Sequence, residues 1–273
     1  MKTYLWKINE KKLNKTNLAL YSSFIQRNYK INLGYDFNKI WKWSVDNPKD
    51  FWKSIWEFTK VKGKPGNIIL KESKTFFKNK FFPDAKLNYA ENLLKKNNEE
   101  AAIIFQSENK YKTILSWEKL NQNVFQIAHW MKFQGLKKGD RVAAYLPNIP
   151  ETVTAYIATT AVGGIWSSCS PDFGTAGVID RFSQISPKIL FIGDKYFYNG
   201  KTINILERLN DIIKKIPSIK KIVIVPYPGT EIRKKPNAKI DTYYFADLIK
   251  LKNKNKIDFV ISNFNDPLAI LYS

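Results

Sequence analysis

The sequence predicts an α/β fold, with a helical N-terminal region followed by a parallel sheet flanked by helices. Between Gly139 and Pro226, short apolar runs alternate with segments of helical spacing, the signature of βαβ crossovers. Before about residue 90, apolar side chains recur at helical spacing instead. With 44% hydrophobic and 15% aromatic residues over 273 positions, the chain can bury a sizeable core.

Leu18, Tyr21, Phe24 and Ile25 mark a first helix. Phe51, Ile55 and Phe58 mark a second, with Trp52 and Trp56 on the neighbouring face. Asp46, before Pro48, is a fitting start for it, and Gly63 lies near its end. Trp41, Trp43, Trp52 and Trp56 read as core anchors rather than a platform for stacked bases. Ala101–Gln106 and Tyr111–Ser116 read as a hairpin, and Ser116 as the cap of a helix running to about Phe133 and ending at Gly135. Arg141–Pro147 is a strand, followed by a helix start at Asn148, Pro150 and Glu151 with proline in the first turn. Val153, Ile157, Ala161 and Val162 form that helix's buried face, and Gly163 and Gly164 end it. Ile165–Ser170, Lys188–Gly193 and Lys221–Pro226 are further strands. Val178, Phe182 and Ile185 mark one intervening helix, and Ile203–Ile216 the other.

Composition narrows the chemistry. Cys169 is the only cysteine, which excludes an intrachain disulfide and a cysteine-rich zinc site. The only histidine, His129, lies in a stretch of helical spacing without nearby triad motifs and reads as a helix-face residue. No secretory signal is visible, and Ala155–Trp166 is too short and too polar to span a bilayer, so a cytoplasmic location is expected. The net charge of +21 suits nucleic acid, a membrane surface or anionic metabolites. Of the 45 basic residues only Arg27, Arg141, Arg181, Arg208 and Arg233 are arginine, the preferred fork for phosphates and base edges. The scattered lysines therefore read as solvated surface, with neither nucleic acid nor membrane as partner.

Open parallel sheets bind ligands beyond the carboxyl ends of their strands. The loops there are Pro147–Ile149, Ser170–Gly174 and Asp194–Lys201. Gly200 permits close backbone approach, Lys201 can meet a phosphate, and Tyr196 and Tyr198 can face a flat ring. The same residues also read as ordinary turns and surface aromatics, and pattern alone names no reaction. No dinucleotide fingerprint or Walker A loop is present, no catalytic or metal-ligating set emerges, and Asp172 and Asp180 near this edge do not form a paired acid–base set.

The run Gly139-Asp140-Arg141-Val142-Ala143-Ala144-Tyr145-Leu146-Pro147-Asn148-Ile149-Pro150-Glu151 resembles adenylate-forming acyl-CoA synthetases. Gly164–Gly174, Asp180-Arg181-Phe182, Tyr196–Lys201 and Leu87–Leu94 resemble the acetoacetyl-CoA synthetase family within them, and Trp41–Val45 with Phe51-Trp52 resembles the helical N-terminal region of acetyl-CoA synthetase relatives. The resemblance implies residues 1–94 as that helical region and 95–273 as the first part of a large adenylate-forming domain. It implies an acid–thiol ligase: acetoacetate and ATP give an acyl-adenylate and pyrophosphate, then CoA displaces AMP, with Mg²⁺ as the metal. It also implies a CoA-nucleotide contact at Tyr198, Asn199, Gly200 and Lys201, with arginine replaced by Tyr198, and another at Ser170, Pro171 and Asp172, where glycines are missing. Asp266–Ser273 resembles the strand entering the family's phosphate loop, so Ser273 is expected to be the start of a truncated ATP-binding loop. A chain cut there is expected to be inactive alone and to hold none of ATP, CoA or Mg²⁺ tightly, with the missing C-terminal portion as a candidate partner chain. Two alternatives stand beside this reading: a ligase for another short acid, acetate or propionate, and a basic protein that binds nucleic acid or a membrane surface.

Overall fold

The computed structural model describes residues 6, 8–108, 110–230, 240–251 and 258–272. The chain divides into two compact units, Met1–Leu87 with Asn263–Asn265, and Asn88–Ser262 with Asp266–Ser273.

The first unit is built on three helices, α1 (Asn17–Tyr29), α2 (Phe37–Asp46) and α3 (Pro48–Phe58). Thr16 caps α1 by accepting from the N–H of Ala19, and Asp36 caps α2 by accepting from Asn38 and Lys39. Tyr21, Ile25, Ile40 and Trp43 form their shared core with Phe51, Ile55 and Phe58. Two sequence expectations are corrected here. Asp46 does not open α3; it is the last residue of α2. Asn47 closes one helix through its N–H to the Trp43 carbonyl and occupies the cap position of the next, with Pro48 in the first turn. Of the four tryptophans, only Trp43 and Trp56 are buried, while Trp41 is 58% and Trp52 40% exposed. Trp41 and Trp43, two apart, point to opposite sides of α2. Trp52 stands at the rim, edge-on to Phe81, whereas Trp56 packs at 4.9 Å between ring centroids against Phe82.

Beyond α3 the helical expectation fails. Two-residue strands pair Gly63–Lys64 with Lys86–Leu87, and Leu70–Lys71 with Lys80–Phe81. Gly66, at φ +77°, passes so close to Asp84 that a Cβ would lie 2.6 Å from its Cβ.

The second unit opens with the short helix α4 (Tyr89–Leu93), the antiparallel hairpin of β1 (Ala101–Gln106) and β2 (Lys112–Ser116), and α5 (Trp117–Phe133). Ser116 caps α5 as expected, accepting from the N–H of Lys119. Then come β3 (Arg141–Tyr145), α6 (Pro150–Ala161), β4 (Ile165–Cys169), α7 (Thr175–Ile185) and β5 (Ile189–Gly193). A second hairpin, β6 (Lys195–Tyr198) with β7 (Lys201–Asn204), precedes α8 (Leu209–Lys215) and β8 (Lys221–Val225). Last are β9 (Asp241–Tyr244) and α9 (Phe245–Leu248). The helix expected over Ile203–Ile216 is therefore only partly present: residues 201–204 are strand, Leu206–Arg208 is a tight 3₁₀ turn, and the α-helix begins at Leu209.

The main sheet is parallel, in the order β9-β8-β5-β3-β4. A parallel bridge from Trp166 to Ala269 lies on the outer side of β4, with the Trp166 N–H donating to Leu268 and the Ile270 N–H to Trp166. Strand side chains alternate between two cores. Val142, Ala144, Trp166, Phe191 and Val223 pack against α5 and α6, while Ala143, Tyr145, Cys169, Leu190 and Ile222 pack against α7 and α8. Burial on both faces explains why these strands read as continuous apolar runs. The chain steps from β3 to β4 on one side, then returns past β3 to β5. That reversal sets the topological switch point, where open sheets bind their ligands, at the carboxyl ends of β3 and β5.

Candidate functional site

Three chain segments meet the carboxyl edge of the sheet. At the end of β5, the carbonyl of Asp194 accepts from the N–H groups of Ile205 (2.9 Å) and Leu206 (3.1 Å), which closes the base of the β6–β7 hairpin. Its carboxylate accepts from the N–H groups of Lys195 and Tyr227, both at 2.8 Å, and lies 3.5 Å from the Lys195 ammonium. The hairpin tip is Asn199-Gly200, with φ of +49° and +72°. Positive φ at both central residues is the two-residue turn that matches the twist of paired strands. Tyr198 faces Lys201 across this turn. Tyr198 is 65% exposed, Asn199, Gly200 and Lys201 are exposed, and the space above Gly200 is open. Tyr196 is different: it is half-buried and packs on both cores, so it is not free to face a ring.

The second segment, Ser170–Gly174, turns tightly, with the Phe173 N–H donating to the Ser170 carbonyl at 3.2 Å. Pro171 is buried, while Ser170 and Asp172 are exposed. The guanidinium of Arg181 stacks 4.3 Å from the centroid of the Phe173 ring.

The third segment is β3 itself. Its last residue, Tyr145, is fully buried, and its hydroxyl lies 2.5 Å from the Phe173 carbonyl and 3.1 Å from that of Pro171. Arg208 donates from Nη1 to the same hydroxyl, to the Phe173 carbonyl at 2.8 Å and to the Pro171 carbonyl at 3.4 Å. Burial pushes the Tyr145 phenol up, and the neighbouring Arg208 charge pulls it back. The phenol remains a neutral donor at ordinary pH.

All three loops singled out in the sequence, Pro147–Ile149, Ser170–Gly174 and Asp194–Lys201, thus follow the carboxyl ends of β3, β4 and β5. Among the described residues no hydrogen bond or ion pair joins Tyr198–Lys201 to Ser170–Asp172. Ser273 falls outside the described residues. Tyr145 and Arg208 were not singled out. Tyr145 reads as one more residue of an apolar strand, and Arg208 comes 63 positions later. Among the described residues, no group of three or more His, Cys, Asp or Glu is placed to hold a metal ion, and no helix is long and apolar enough to cross a membrane.

This arrangement, a parallel sheet with polar loops at its carboxyl edge, is that of an open α/β fold, whose ligand sites lie at the strand ends. The family model described as AMP-binding enzyme matches residues 90–273, and that described as Acetyl-coenzyme A synthetase N-terminus matches residues 37–93. The chain belongs to the AMP-binding enzyme family. Within it, the chain is 40% identical over 238 residues to an acetoacetyl-coenzyme A synthetase of Rhizobium meliloti, covering 87% of this chain and 36% of that protein. It is 36% identical over 277 residues to the Xenopus tropicalis acetoacetyl-CoA synthetase, covering 98% and 41%. The solved acetoacetyl-CoA synthetase from Streptomyces lividans matches with a TM-score of 0.87 at 30% identity, over 98% of this chain and 41% of that one. The chain therefore spans about two fifths of the length of the relatives it matches. Each of these likenesses is to an enzyme family rather than to nucleic-acid or membrane-surface binders.

Proposed function

We propose that residues 1–273 form part of an ATP-dependent acetoacetate–CoA ligase, and that the carboxyl edge of the sheet receives the nucleotide end of CoA. The similarity to acetoacetyl-CoA synthetases across both family regions carries this reading. In the reaction the acid's carboxylate attacks ATP, releasing pyrophosphate, and the CoA thiol then displaces AMP. The contribution of these residues is binding and orientation. The exposed tip Tyr198-Asn199-Gly200-Lys201 offers an ammonium for a phosphate, an aromatic face, and backbone that a ligand can approach without meeting a side chain. Ser170 and Asp172 supply a hydroxyl and a carboxylate on the neighbouring loop. No described acidic cluster fits Mg²⁺, so no step through that ion is assigned to these residues.

The same reading takes residues 1–94 as the acetyl-CoA-synthetase-type N-terminal region and 95–273 as the adenylate-forming part. It sets the protein in the cytoplasm and takes the remaining ligase residues from beyond this stretch or from a separate chain. The test is titration of CoA into the 273-residue chain, with Lys201→Ala and Tyr198→Ala alongside. Saturable binding weakened by both substitutions supports the reading. Absent CoA binding, or a steeply salt-dependent affinity for nucleic acid instead, overturns it. The acid is tested separately, by comparing thioester formation from acetoacetate, acetate and propionate once the remaining residues are supplied.

A further inference from the structure

The Ser170–Gly174 loop does little to fix its own shape. Gly174, at the cap position of α7, makes no side-chain cap bond, and the loop's internal turn rests on the single Phe173-to-Ser170 bond. Its two inward carbonyls, on Pro171 and Phe173, are instead met from outside by the Tyr145 hydroxyl and the Arg208 guanidinium. Those two groups are also bonded to each other, and the Arg208 guanidinium carbon lies 6.0 Å from the Tyr145 ring centroid. Inward carbonyls beside a fully buried tyrosine need such donors, because an unpaired polar group there is costly. The outward consequence is that Ser170 and Asp172 remain exposed.

We infer that Arg208 and Tyr145 are positioning residues for the CoA edge: they hold the Pro171–Phe173 turn with its carbonyls inward and the side chains of Ser170 and Asp172 presented to the nucleotide. The inference rests on the CoA reading of that edge. Neither residue need touch CoA. Tyr145 delivers its hydroxyl from the rigid end of β3, and Arg208 delivers its fork from the turn leading into α8. The three Arg208 bonds all leave from Nη1, so lysine at the same place keeps the charge and can offer its own donors to the same carbonyls.

The test compares the wild-type chain with Arg208→Ala, Arg208→Lys and Tyr145→Phe. Three quantities are read: CoA affinity by ligand-observed NMR, amide exchange of residues 170–174, and the melting midpoint. Arg208→Ala is expected to weaken CoA at least about tenfold and to speed loop exchange by a similar factor, with the midpoint lowered by no more than about 2–4 °C. Arg208→Lys is expected to stay within about threefold of wild type, and Tyr145→Phe to fall between them. If Arg208→Ala does not fold, Tyr145→Phe carries the test, since it removes one oxygen and keeps the ring. Wild-type binding with unchanged affinity in Tyr145→Phe and Arg208→Ala overturns the inference and leaves the CoA reading standing. Exchange rising throughout the sheet, with a midpoint lowered beyond that range and no rescue by lysine, also overturns it. Failure of the wild-type chain to bind CoA overturns the CoA reading, and the inference with it.

Discussion

The carboxylate of Asp194 accepts a hydrogen bond from the backbone N–H of Tyr227 at 2.8 Å, tying the end of β5 to the segment leaving β8. The same oxygen accepts from Lys195, so one side chain satisfies two backbone donors at the foot of the β6–β7 hairpin. Asp194→Ala strands both donors in a largely buried place and is expected to cost about 1–3 kcal/mol. Asp194→Asn keeps the amide oxygen as acceptor and is expected to cost less. Urea denaturation of the two variants measures the difference; equal loss in both would assign the effect to charge instead.

Gly200 tests the hairpin tip. A Cβ there would meet nothing within 4 Å, so the cost of Gly200→Ala is that of holding φ at +72° alone. That is about 1 kcal/mol, or a fall of about 2–4 °C in melting temperature. A much larger loss would mean that the tip is packed rather than open.

Phe191, in the middle strand β5, is fully buried and meets Trp166 at 6.4 Å between ring centroids. Phe191→Ala should leave a cavity between the sheet and its covering helices and cost about 3–5 kcal/mol. Phe191→Leu should recover most of that, as read by thermal unfolding of both variants.

Cys169 provides a pH dependence. Burial raises its thiol from 9.0 to about 11, against a smaller lowering by the Arg181 charge. The folded state therefore holds the proton more tightly than the unfolded one. Its contribution is fully present below pH 9 and is lost as pH rises toward 11. Stability should fall over that interval, and Cys169→Ala should flatten part of the slope. Thiol reagents should label the native protein slowly at pH 8. Rapid stoichiometric labelling of the folded chain would contradict this.

Four strands of the main sheet were legible because they are largely buried on both faces and bounded by Gly, Pro and Asn, as in Arg141–Tyr145 and Ile189–Gly193, whereas the half-exposed edge strand β9 was missed. The β6–β7 hairpin was misread, although Asn199-Gly200 between Lys-Tyr-Phe-Tyr and Lys-Thr-Ile-Asn is a strong turn signal. The isoleucines at 203, 205, 212 and 216 simulate a helical stripe there, yet Ile203 is in a strand while Ile205 and Ile216 flank the helix. Trp41 and Trp52 were misplaced because residue type says that a large ring prefers burial, whereas helix phase decides which ring obtains it. The loops at the carboxyl edge followed from strand direction. The Tyr145–Arg208 clamp did not, since no local pattern pairs two residues whose meeting depends on the fold.

The contact of residues 268–270 with β4 sets an order of events. The Ser167 hydroxyl donates to the Ile270 carbonyl, 103 positions away, whereas β3 and β4 are joined by a single crossover helix. Pairings between near neighbours in sequence lose less chain entropy on closure and form sooner. The β3–β4–β5 core can therefore assemble while the outer flank of Trp166 is still open, and residues 268–270 add to it late. A newly made chain should pass through a state with one sheet edge bare, and in pulse-labelling exchange the Ile270 amide should gain protection after those of Ala143 and Phe191.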